Sequence, residues 1–461
     1  MAGLLDSLSM AARALDAQRF GLDVAGQNIA NVNTAGYTRR SALFAAVPGV
    51  DRWSAGNGVE IQGLIATRDM RLERRLQQER PAEQREAAVA EVLALVETAI
   101  GKPGESIDKS MNELFDAFGR LATDPTSAVE RQQTVLEGTE LAEAFHDMVD
   151  RLNLARRDAD AGIRAGVDDI NRQLGRIAEI NAALGKIDPN SSESQTLRDE
   201  LNLAVSSISG LVDIDTVARP NGGVDIEFGN GRPLVIGENA YLLETAIVPP
   251  DGMTAVISEG LTVTAEITGG RIGGLLHSRD VLIPGYVTRL DELAYNVATQ
   301  VNAVHRTGFS LTGATNIDFF VQPAAVAGAA SSLAVNPTVV ASPSAIAASG
   351  GAASPGDNTI ARQLAGLRDV RGMSGGTATF GDAWSDLVYR VGADTKSAQV
   401  EQRSRAEIVQ QVQLLREQVS GISLDEEATM MMKFQRAYEA NARFFQAIDQ
   451  TLDTLMQSVA R

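Results

Sequence analysis

The sequence predicts a mainly α protein with a small β insert, whose terminal helices pair as a coiled coil. Apolar residues near both ends of the chain recur at alternating steps of four and three residues, which is the spacing of a helical seam. Helical spacing continues through most of the middle, but residues 211–272 form short β-like runs between glycine-rich turns. We therefore expect a nested helical domain that carries an inserted antiparallel β domain.

The first predicted helix covers residues 4–29, and its apolar side chains share one stripe. The members of this stripe are Leu4, Leu8, Ala11, Leu15, Gln18, Leu22, Ala25 and Ile29. Charged residues avoid the stripe, as expected of a face that packs on another helix. The run from Asn31 to Gly36 should end the helix, because Asn and Gly accept the left-handed backbone found at helix ends.

The last predicted helix begins after Ser423, an N-cap that forms a capping box with Glu426 three residues later, and runs almost to Arg461. Its stripe consists of Leu424, Ala428, Met431, Gln435, Tyr438, Ala442, Phe445, Asp449, Leu452, Met456 and Val459. An isolated helix with a wet apolar stripe is marginal in water, so both terminal helices need a partner. The simplest partner is the other terminal helix, aided by neighbouring copies; alternatively, both are ordinary core helices of one globular domain.

The middle of the chain alternates predicted helices with irregular and β-like segments. Helix is predicted over 66–100, where Pro81 should kink or interrupt it, and from an N-cap at Asp124-Pro125 to about Leu184. The β-like runs are Val212–Val217, Val224–Phe228, Leu234–Ile236, Tyr241–Val248, Met253–Ile257 and Leu261–Ile267. Further helices are predicted over 281–305, 358–370 and 380–419, with an irregular, packed segment at 311–356.

These elements predict three domains. Residues 1–65 and 421–461 form a terminal coiled-coil assembly domain, residues 66–210 and 273–420 form a helical middle domain, and residues 211–272 form a small β domain. Each inner domain interrupts the one that encloses it, so the two ends of the chain are expected to meet.

Composition excludes several classes of function. The chain has 461 residues and a formal net charge of −18, which does not suit nucleic acid or an anionic membrane surface. It has no cysteine and three histidines far apart in sequence, so we expect no metal site and no cofactor. No apolar run approaches the roughly 20 residues that span a bilayer, and the N-terminus lacks the pattern of a cleaved secretory signal.

We expect no catalytic residue. Gly372-Met373-Ser374-Gly375-Gly376 matches the nucleophile-elbow motif formally, but no histidine follows it in the chain to act as the base. A secreted glycan-cleaving enzyme remains an alternative, because paired carboxylates are abundant. Trp53 and Trp384, the only tryptophans, lie in different segments, which speaks against an aromatic sugar cleft.

Several motifs resemble those of bacterial flagellar rod, hook and hook-associated proteins. The N-terminal signature is the run Ala30-Asn31-Val32-Asn33-Thr34-Ala35-Gly36-Tyr37-Thr38-Arg39, in which Ala35 stands where the family commonly has Pro. The C-terminal signature comprises the run from Ser420 to Glu427 and the run from Gln435 to Arg443. Between them lie Leu197-Arg198-Asp199-Glu200, Phe319-Phe320 and Val335-Asn336-Pro337. The forms Gly36-Tyr37-Thr38-Arg39 and Leu424-Asp425-Glu426-Glu427 favour the hook-associated branch over hook or distal rod subunits, which stay the alternative.

The resemblance implies a structural subunit of the ring that joins flagellar hook to filament, exported by the flagellar type III apparatus to the extracellular flagellum. Its implied partners are further copies of itself, the hook protein, a second hook-associated protein, the filament cap by sequential assembly, and a cytoplasmic export chaperone at the C-terminal segment. The terminal helices are implied to be loosely folded before assembly. The expected assembly-interface residues are Leu4, Leu8, Leu15, Leu22, Ile29, Asn31, Asn33, Thr34, Gly36, Tyr37, Leu424, Met431, Tyr438, Phe445, Leu452 and Met456.

Overall fold

The computed structural model describes residues 2–49, 56–101, 106–228 and 231–459, so Trp53 lies outside the described residues. The helices are α1 Ala2–Ala30, α2 Met70–Ile100, α3 Ile107–Thr123, α4 Ala128–Leu184, α5 Ser192–Leu211, α6 Gly270–His277, α7 Ile283–His305, α8 Ala329–Ser332, α9 Pro337–Ala341, α10 Thr359–Gly366, α11 Phe380–Ser420 and α12 Leu424–Val459. The strands are β1 Arg40–Ala46, β2 Val59–Ala66, β3 Ile214–Ala218, β4 Val224–Phe228, β5 Arg232–Ile236, β6 Asn239–Ala240, β7 Leu243–Val248, β8 Met253–Ser258 and β9 Leu261–Thr262. The predicted class, mainly α with a small antiparallel β insert, is confirmed.

The terminal helices α1 and α12 lie side by side, and an antiparallel hairpin of β1 and β2 packs on α1. This hairpin was not predicted from the sequence. It carries a bulge: Leu43 faces Gly63 but Phe44 faces Ile61, so Gln62 is the extra residue. Gly63 has a positive φ of 130°, and a side chain there would collide with the carbonyl oxygen of Asn190. The hairpin therefore approaches the rest of the molecule closely at this point.

A pair of antiparallel helices, α2 and α11, connects the terminal segments to the helical body. Its apolar contact nearest the terminal segments is small and consists of Leu72, Leu76, Val409 and Val412. Ion pairs flank this contact on α2, with Glu79 beside Arg405 at 3.8 Å and Glu73 beside Arg416 at 3.9 Å. α2 runs unbroken through the buried Pro81, so the interruption considered for this residue does not occur.

The helical body is built around α4, a single helix of 57 residues. Gly162, Gly166 and Gly175 do not break it, because neighbouring side chains fill the space beside the first two: Leu275 lies against Gly162 and Ile272 against Gly166. The N-cap of α4 is Ser127, whose hydroxyl accepts a hydrogen bond from Glu130 N–H. The predicted N-cap at Asp124-Pro125 is therefore wrong, since Asp124 instead follows the last residue of α3.

The β insert forms a four-stranded sheet, β3-β4-β5-β6, and a three-stranded sheet, β7-β8-β9. Three polar residues of α4 attach these sheets by bonding to strand and turn backbone. Asn171 exchanges hydrogen bonds of 2.8 and 2.9 Å with the backbone of Leu243, and Asn181 bonds Val224 and Gly237. Buried apolar side chains of both sheets, such as Ile226 and Val256, belong to the same core cluster as α4. The predicted run Leu261–Ile267 is a strand only at β9 and then turns into a short 3-10 helix.

The segment between α7 and α10 is largely irregular but packed, as predicted. Phe319, Phe320 and Ile346 are fully buried. Buried polar side chains satisfy its backbone: Asn302 accepts from the N–H groups of Phe319 and Phe320, and His305 accepts from Ala347 N–H through Nε2. An irregular chain can be buried here because its backbone groups find these partners.

Candidate functional site

The two terminal helices run antiparallel. Asn28 of α1 donates a hydrogen bond of 3.0 Å to Glu427 of α12, and seven residues further along both helices Gly21 lies against the ring of Phe434. The same ring meets Phe44 of β1 edge-on at 6.5 Å between centroids. Head and tail of the chain thus share one interface that also includes the hairpin.

The face of α12 that turns inward keeps Met431, Phe445 and Leu452 of the predicted stripe, but other stripe members are replaced by the residue before them. Phe434 is half-buried and Ile448 is 7% exposed, whereas the stripe members Gln435 and Asp449 are exposed. Adjacent helical positions differ by about 100° around the axis, so a shift of one residue turns these polar members towards water. On α1, the buried Ala17 likewise replaces the half-buried Gln18.

The predicted assembly-interface residues of the helices are therefore only partly covered within one chain. On α1 and α12 the half-buried members are Leu4, Leu8, Leu15, Leu22, Ile29, Met431, Phe445 and Leu452. Leu424, Tyr438 and Met456 are exposed by 51%, 40% and 65%. The described part of the chain leaves an apolar stripe on α12 open to solvent.

The turn after α1 is held by its own side chains. Asn31 donates to Gln27 O and accepts from the Thr34 hydroxyl at 3.1 Å. Asn33 is exposed. Gly36 has a positive φ of 78°, and a Cβ there would lie 2.5 Å from Leu203 of α5, so glycine is required by both backbone and packing. The sequence prediction of a helix stop at this run is confirmed.

Asn28, buried by packing of α1, α12 and the hairpin, organises the polar contacts at this junction. Its amide donates to the carbonyl of Arg40 at 2.8 Å and to the Glu427 carboxylate. Its oxygen accepts from the Arg40 N–H and from the Tyr37 hydroxyl, both at 3.1 Å. All hydrogen-bonding positions of this buried amide therefore find partners.

Arg39 binds the C-terminal helix. Its Nε donates to Glu427 at 2.7 Å, its Nη1 lies 2.9 Å from Glu426, and its backbone N–H donates to Ser420 O. The Glu427 side chain is only 3% exposed, so the charge of Arg39 offsets the cost of burying this carboxylate. The predicted capping box is only half formed, because Glu426 turns to Arg39 while Ser423 still accepts from Glu426 N–H at 3.5 Å.

Arg40 binds the helical body on the other side. Its Nη2 donates to Asp199 of α5 at 2.9 Å and to Thr196 at 3.1 Å. The Asp199 carboxylate also accepts from Thr38 at 2.8 Å and from Arg68 at 2.6 Å. Two guanidinium groups and one hydroxyl thus surround a buried carboxylate, a geometry of charge-assisted hydrogen bonds.

Tyr37 contributes both its ring and its hydroxyl group to the same cluster. The Arg40 guanidinium lies over its ring at 4.6 Å from the centroid. Burial raises the pKa of the Tyr37 hydroxyl, Arg40 acts against this shift, and the carboxylates of Asp199 and Glu427 add to it. The phenol therefore stays protonated and remains a hydrogen-bond donor to Asn28.

We call this cluster the polar junction and define it as Asn28, Tyr37, Thr38, Arg39, Arg40, Arg68, Asp199, Glu426 and Glu427. It brings together the N-terminal signature, the signature around Asp199 and the start of the C-terminal signature. Of its members only Tyr37 was an expected interface residue. The residues missed inside the quoted motifs are Thr38, Arg39, Asp199, Glu426 and Glu427, and the signal that could have found them is the presence of acidic and basic residues in separate motifs. Asn28, Arg40 and Arg68 lie outside the motifs and were missed without such a signal.

The described residues offer little for catalysis or metal binding. Ser374 lies in an exposed turn closed by a hydrogen bond from Gly376 N–H to Met373 O, and Trp384 is buried in the core. Three carboxylates, Glu113, Glu137 and Glu140, bring oxygens within 4.8 Å of one another. Lys109 and Arg120 pair with the first two, at 3.7 Å in each case, so the cluster reads as a surface ion-pair network.

None of the described helices has the length and apolar character needed to cross a membrane.

Comparison with known proteins gives a consistent result. The profile of the helical domain of flagellar hook-associated protein FlgK matches residues 93–320. The C-terminal profile of the flagellar basal body rod FlgEFG proteins matches residues 417–458, and the flagella basal body rod profile matches residues 8–38. The two terminal matches coincide with α12 and α1.

Full-length relatives agree with these profiles. Flagellar hook-associated protein 1 of Bacillus subtilis is 25% identical, with 98% of each chain aligned. The protein of the same name from Escherichia coli K12 is 23% identical, over 96% of this chain and 97% of its own length.

A solved structure also agrees in fold. The flagellar hook junction protein FlgK of Burkholderia pseudomallei superposes with a TM-score of 0.66 at 16% identity, covering 75% of this chain and all of that one. At this identity the match speaks for the fold alone. The profile over residues 93–320 and the full-length relatives support a FlgK-family protein.

Proposed function

We propose that this protein is a structural, non-catalytic subunit of the extracellular bacterial flagellum that joins hook to filament. The names of its relatives support this role, since they are hook-associated proteins and a hook junction protein. The described residues favour no rival: the glycan-cleaving alternative would need a cleft with sugar-binding aromatic side chains, yet Trp384 is in the core.

The structural observation that supports the proposal is that apolar side chains of the predicted α12 stripe remain exposed to solvent. Leu424, Tyr438 and Met456 expose between 40% and 65% of their surface although they share a helix with a well-defined inner face. Covering a large apolar side chain gains on the order of 1.5–3 kcal/mol. Such a stripe suits a subunit whose terminal helices become covered only in a polymer.

The occupant of this stripe is the terminal region of neighbouring copies in a ring. The assembly interface comprises the half-buried and exposed stripe residues of α1 and α12 together with the turn residues Asn31, Asn33, Thr34, Gly36 and Tyr37. Residues 1–65 with 421–461 act as the assembly domain, and residues 66–210 with 273–420 and the β domain at 211–272 form the body. The hook protein, a second hook-associated protein and, by sequential assembly, the filament cap are the further partners.

Before assembly, the exposed stripe needs protection. A cytoplasmic chaperone that binds the C-terminal segment would cover it and keep the chain ready for type III export. The terminal helices, already paired with each other in one chain, then gain the neighbouring copies as further partners in the ring.

The test replaces exposed apolar side chains of α12 and leaves the side chains that face α1 unchanged. The variant Leu424→Ser, Tyr438→Ser, Met456→Ser is expected to fold as the native chain does, because these side chains contribute little to its core. In a strain that lacks the native protein, it should fail to attach filaments to hooks. Circular dichroism and thermal unfolding measure the fold, and electron microscopy of cell-attached flagella measures the joining.

The matched control is Lys433→Ser, Gln435→Ser, Glu439→Ser, which changes exposed polar residues of the same helix. This control should restore filaments. Normal filaments with the stripe variant, or absent filaments with the native chain reintroduced, would contradict the proposed function.

A further inference from the structure

Arg39 and Arg40 are adjacent residues whose side chains leave the chain in opposite directions. The Arg39 guanidinium reaches Glu426 and Glu427 of α12, whereas the Arg40 guanidinium reaches Asp199 of α5. This divergence follows from extended backbone, in which successive side chains point to opposite faces. One dipeptide thus contacts both the C-terminal helix and the helical body.

The covalent connection alone does not fix how the terminal helices sit on the body. Only Gly421, Ile422 and Ser423 separate α11 from α12, and the backbone of Gly421 is extended, with φ −70° and ψ 161°. Rotation about a few single bonds in such a link would swing α12 through a wide range of directions. Non-covalent contacts must select one of them.

Two of the contacts that make this selection pass through the dipeptide. Asp199 holds Arg40 and is itself joined to the body through α5, which packs on α4. Arg39 holds Glu427, and Asn28 ties the backbone of Arg40 to the same carboxylate. A second tether, from Leu64 N–H to Asn190 O at 2.7 Å, joins the hairpin to the body, and the hairpin meets α12 where Phe44 contacts Phe434.

We infer that Arg39 and Arg40 are positioning residues that set the direction of the terminal helix pair relative to the body. This inference rests on the proposed function, because a subunit joining two polymers must hold its assembly helices and its body in one fixed relation. Arg39 forms the link to α12, and Arg40 forms the link to α5. Asn28, the packing of α1 on α12 and the Phe44–Phe434 contact remain when either link is cut, so losing one arginine loosens the direction of α12 without releasing the helix.

The experiment uses the full chain and its lack of cysteine. Glu193→Cys on α5 and Glu439→Cys on α12, both exposed positions, carry spin labels whose distance distribution is measured by electron paramagnetic resonance. Arg39→Gln, Arg40→Gln and the double variant are compared on this background. A second label pair, at Glu193→Cys and Ser397→Cys, reports on the body alone.

The expected result has three parts. Arg39→Gln and Arg40→Gln each widen the α5–α12 distribution, the double variant widens it at least as much as either single variant, and the pair within the body stays unchanged. Arg19→Gln is the matched control, since Arg19 lies on α1 with its side chain 75% exposed, and it should leave all distributions as in the native chain. A conservative Arg39→Lys should restore part of the narrow distribution.

Two results would overturn the inference. The first is a native α5–α12 distribution in both single variants; the second is an equal widening for the label pair within the body, which would mean that the variants loosen the whole fold. The measurement is made on the monomer, so it is separate from the filament test. If the native chain did not attach filaments, the proposed function would be contradicted, but the spin-label distance distributions would be unaffected.

Discussion

Gly21 of α1 touches the ring of Phe434 in α12, and the contact leaves no room for a methyl group. A Cβ on Gly21 would lie 2.6 Å from the ring, whereas a Cβ on Gly26 of the same helix would meet nothing within 4 Å. Two glycines five residues apart thus have opposite roles: the first allows the terminal helices to approach, and the second only weakens the helix.

This contrast gives a prediction with an internal control. Gly21→Ala should destabilise the pairing of α1 and α12 by about 1–3 kcal/mol, because overfilled contacts force side chains to move. Gly26→Ala should instead stabilise α1 by about 0.5–1 kcal/mol, since alanine loses less backbone entropy in a helix. Hydrogen exchange of the α12 amides measures both effects, and equal protection in the two variants would contradict the geometry.

Asp160 of α4 is predicted to be essential for holding the β insert. Its buried carboxylate accepts from Thr254 N–H at 2.8 Å and from Arg279 at 2.6 Å. Asp160→Asn removes one of the two carboxylates that pair with the buried Arg279, which keeps its bonds to Asp280, so we expect a loss of about 1–3 kcal/mol in the free energy of unfolding. Asp158→Asn, an exposed position two residues away, should change stability little; similar urea midpoints for the two variants would be the adverse result.

Asn171 and Asn181 are predicted to protect different strands. Asn181→Ala removes the partners of Val224 and of Gly237 and should cost about 1–3 kcal/mol, the usual effect of leaving buried backbone groups unpaired. Hydrogen exchange should rise at β4 in this variant, whereas Asn171→Ala should raise exchange at β7. Uniform loss of protection across both sheets in each variant would argue against separate attachment points.

Because His305 is buried, we predict that the protein loses stability in weak acid. Burial lowers its pKa to about 4, and its Nε2 must stay unprotonated to accept from Ala347 N–H. Between pH 6.5 and about 4 the unfolded chain therefore binds this proton and the folded chain does not, so stability falls as pH falls through that range. The full effect is on the order of 3 kcal/mol, from 1.36 kcal/mol per pKa unit.

The measurement for His305 is the urea midpoint at pH 7 and at pH 4.5, in the native chain and in His305→Gln. The variant starts from lower stability but should lose less on acidification. His277, whose pKa burial also lowers, contributes in the same direction, so both chains are compared on a His277→Gln background. An equal acid-induced loss in the two chains would assign the effect to other groups.

The terminal helices and their meeting are predictable from the sequence because their seams are regular and their motifs are specific. The face that α12 turns inward cannot be predicted in this way. A stripe that contains Gln435 and a stripe that contains Phe434 both fit the helical period, and the two differ by one residue. Only the packing of Phe434 on Gly21 selects between them.

The polar junction is predictable only in its parts. Arg39 and Glu427 are 388 residues apart in sequence, and Arg40 and Asp199 are 159 apart, so no local spacing reveals these pairs. The hairpin of β1 and β2 is missed for a related reason: most of its positions are half-buried or exposed, and the strands lack a clear alternation of apolar and polar residues.

The length of α4 sets a rule for how this protein can change. Its 57 residues span about 85 Å at 1.5 Å per residue. Both β sheets are attached to this one helix by hydrogen bonds to two of its asparagines and one aspartate. One inserted residue would rotate every later attachment by about 100° and pull it away from its strand. Loops tolerate insertion or deletion of single residues, whereas α4 should tolerate only insertions or deletions close to whole helical turns, such as seven or eleven residues.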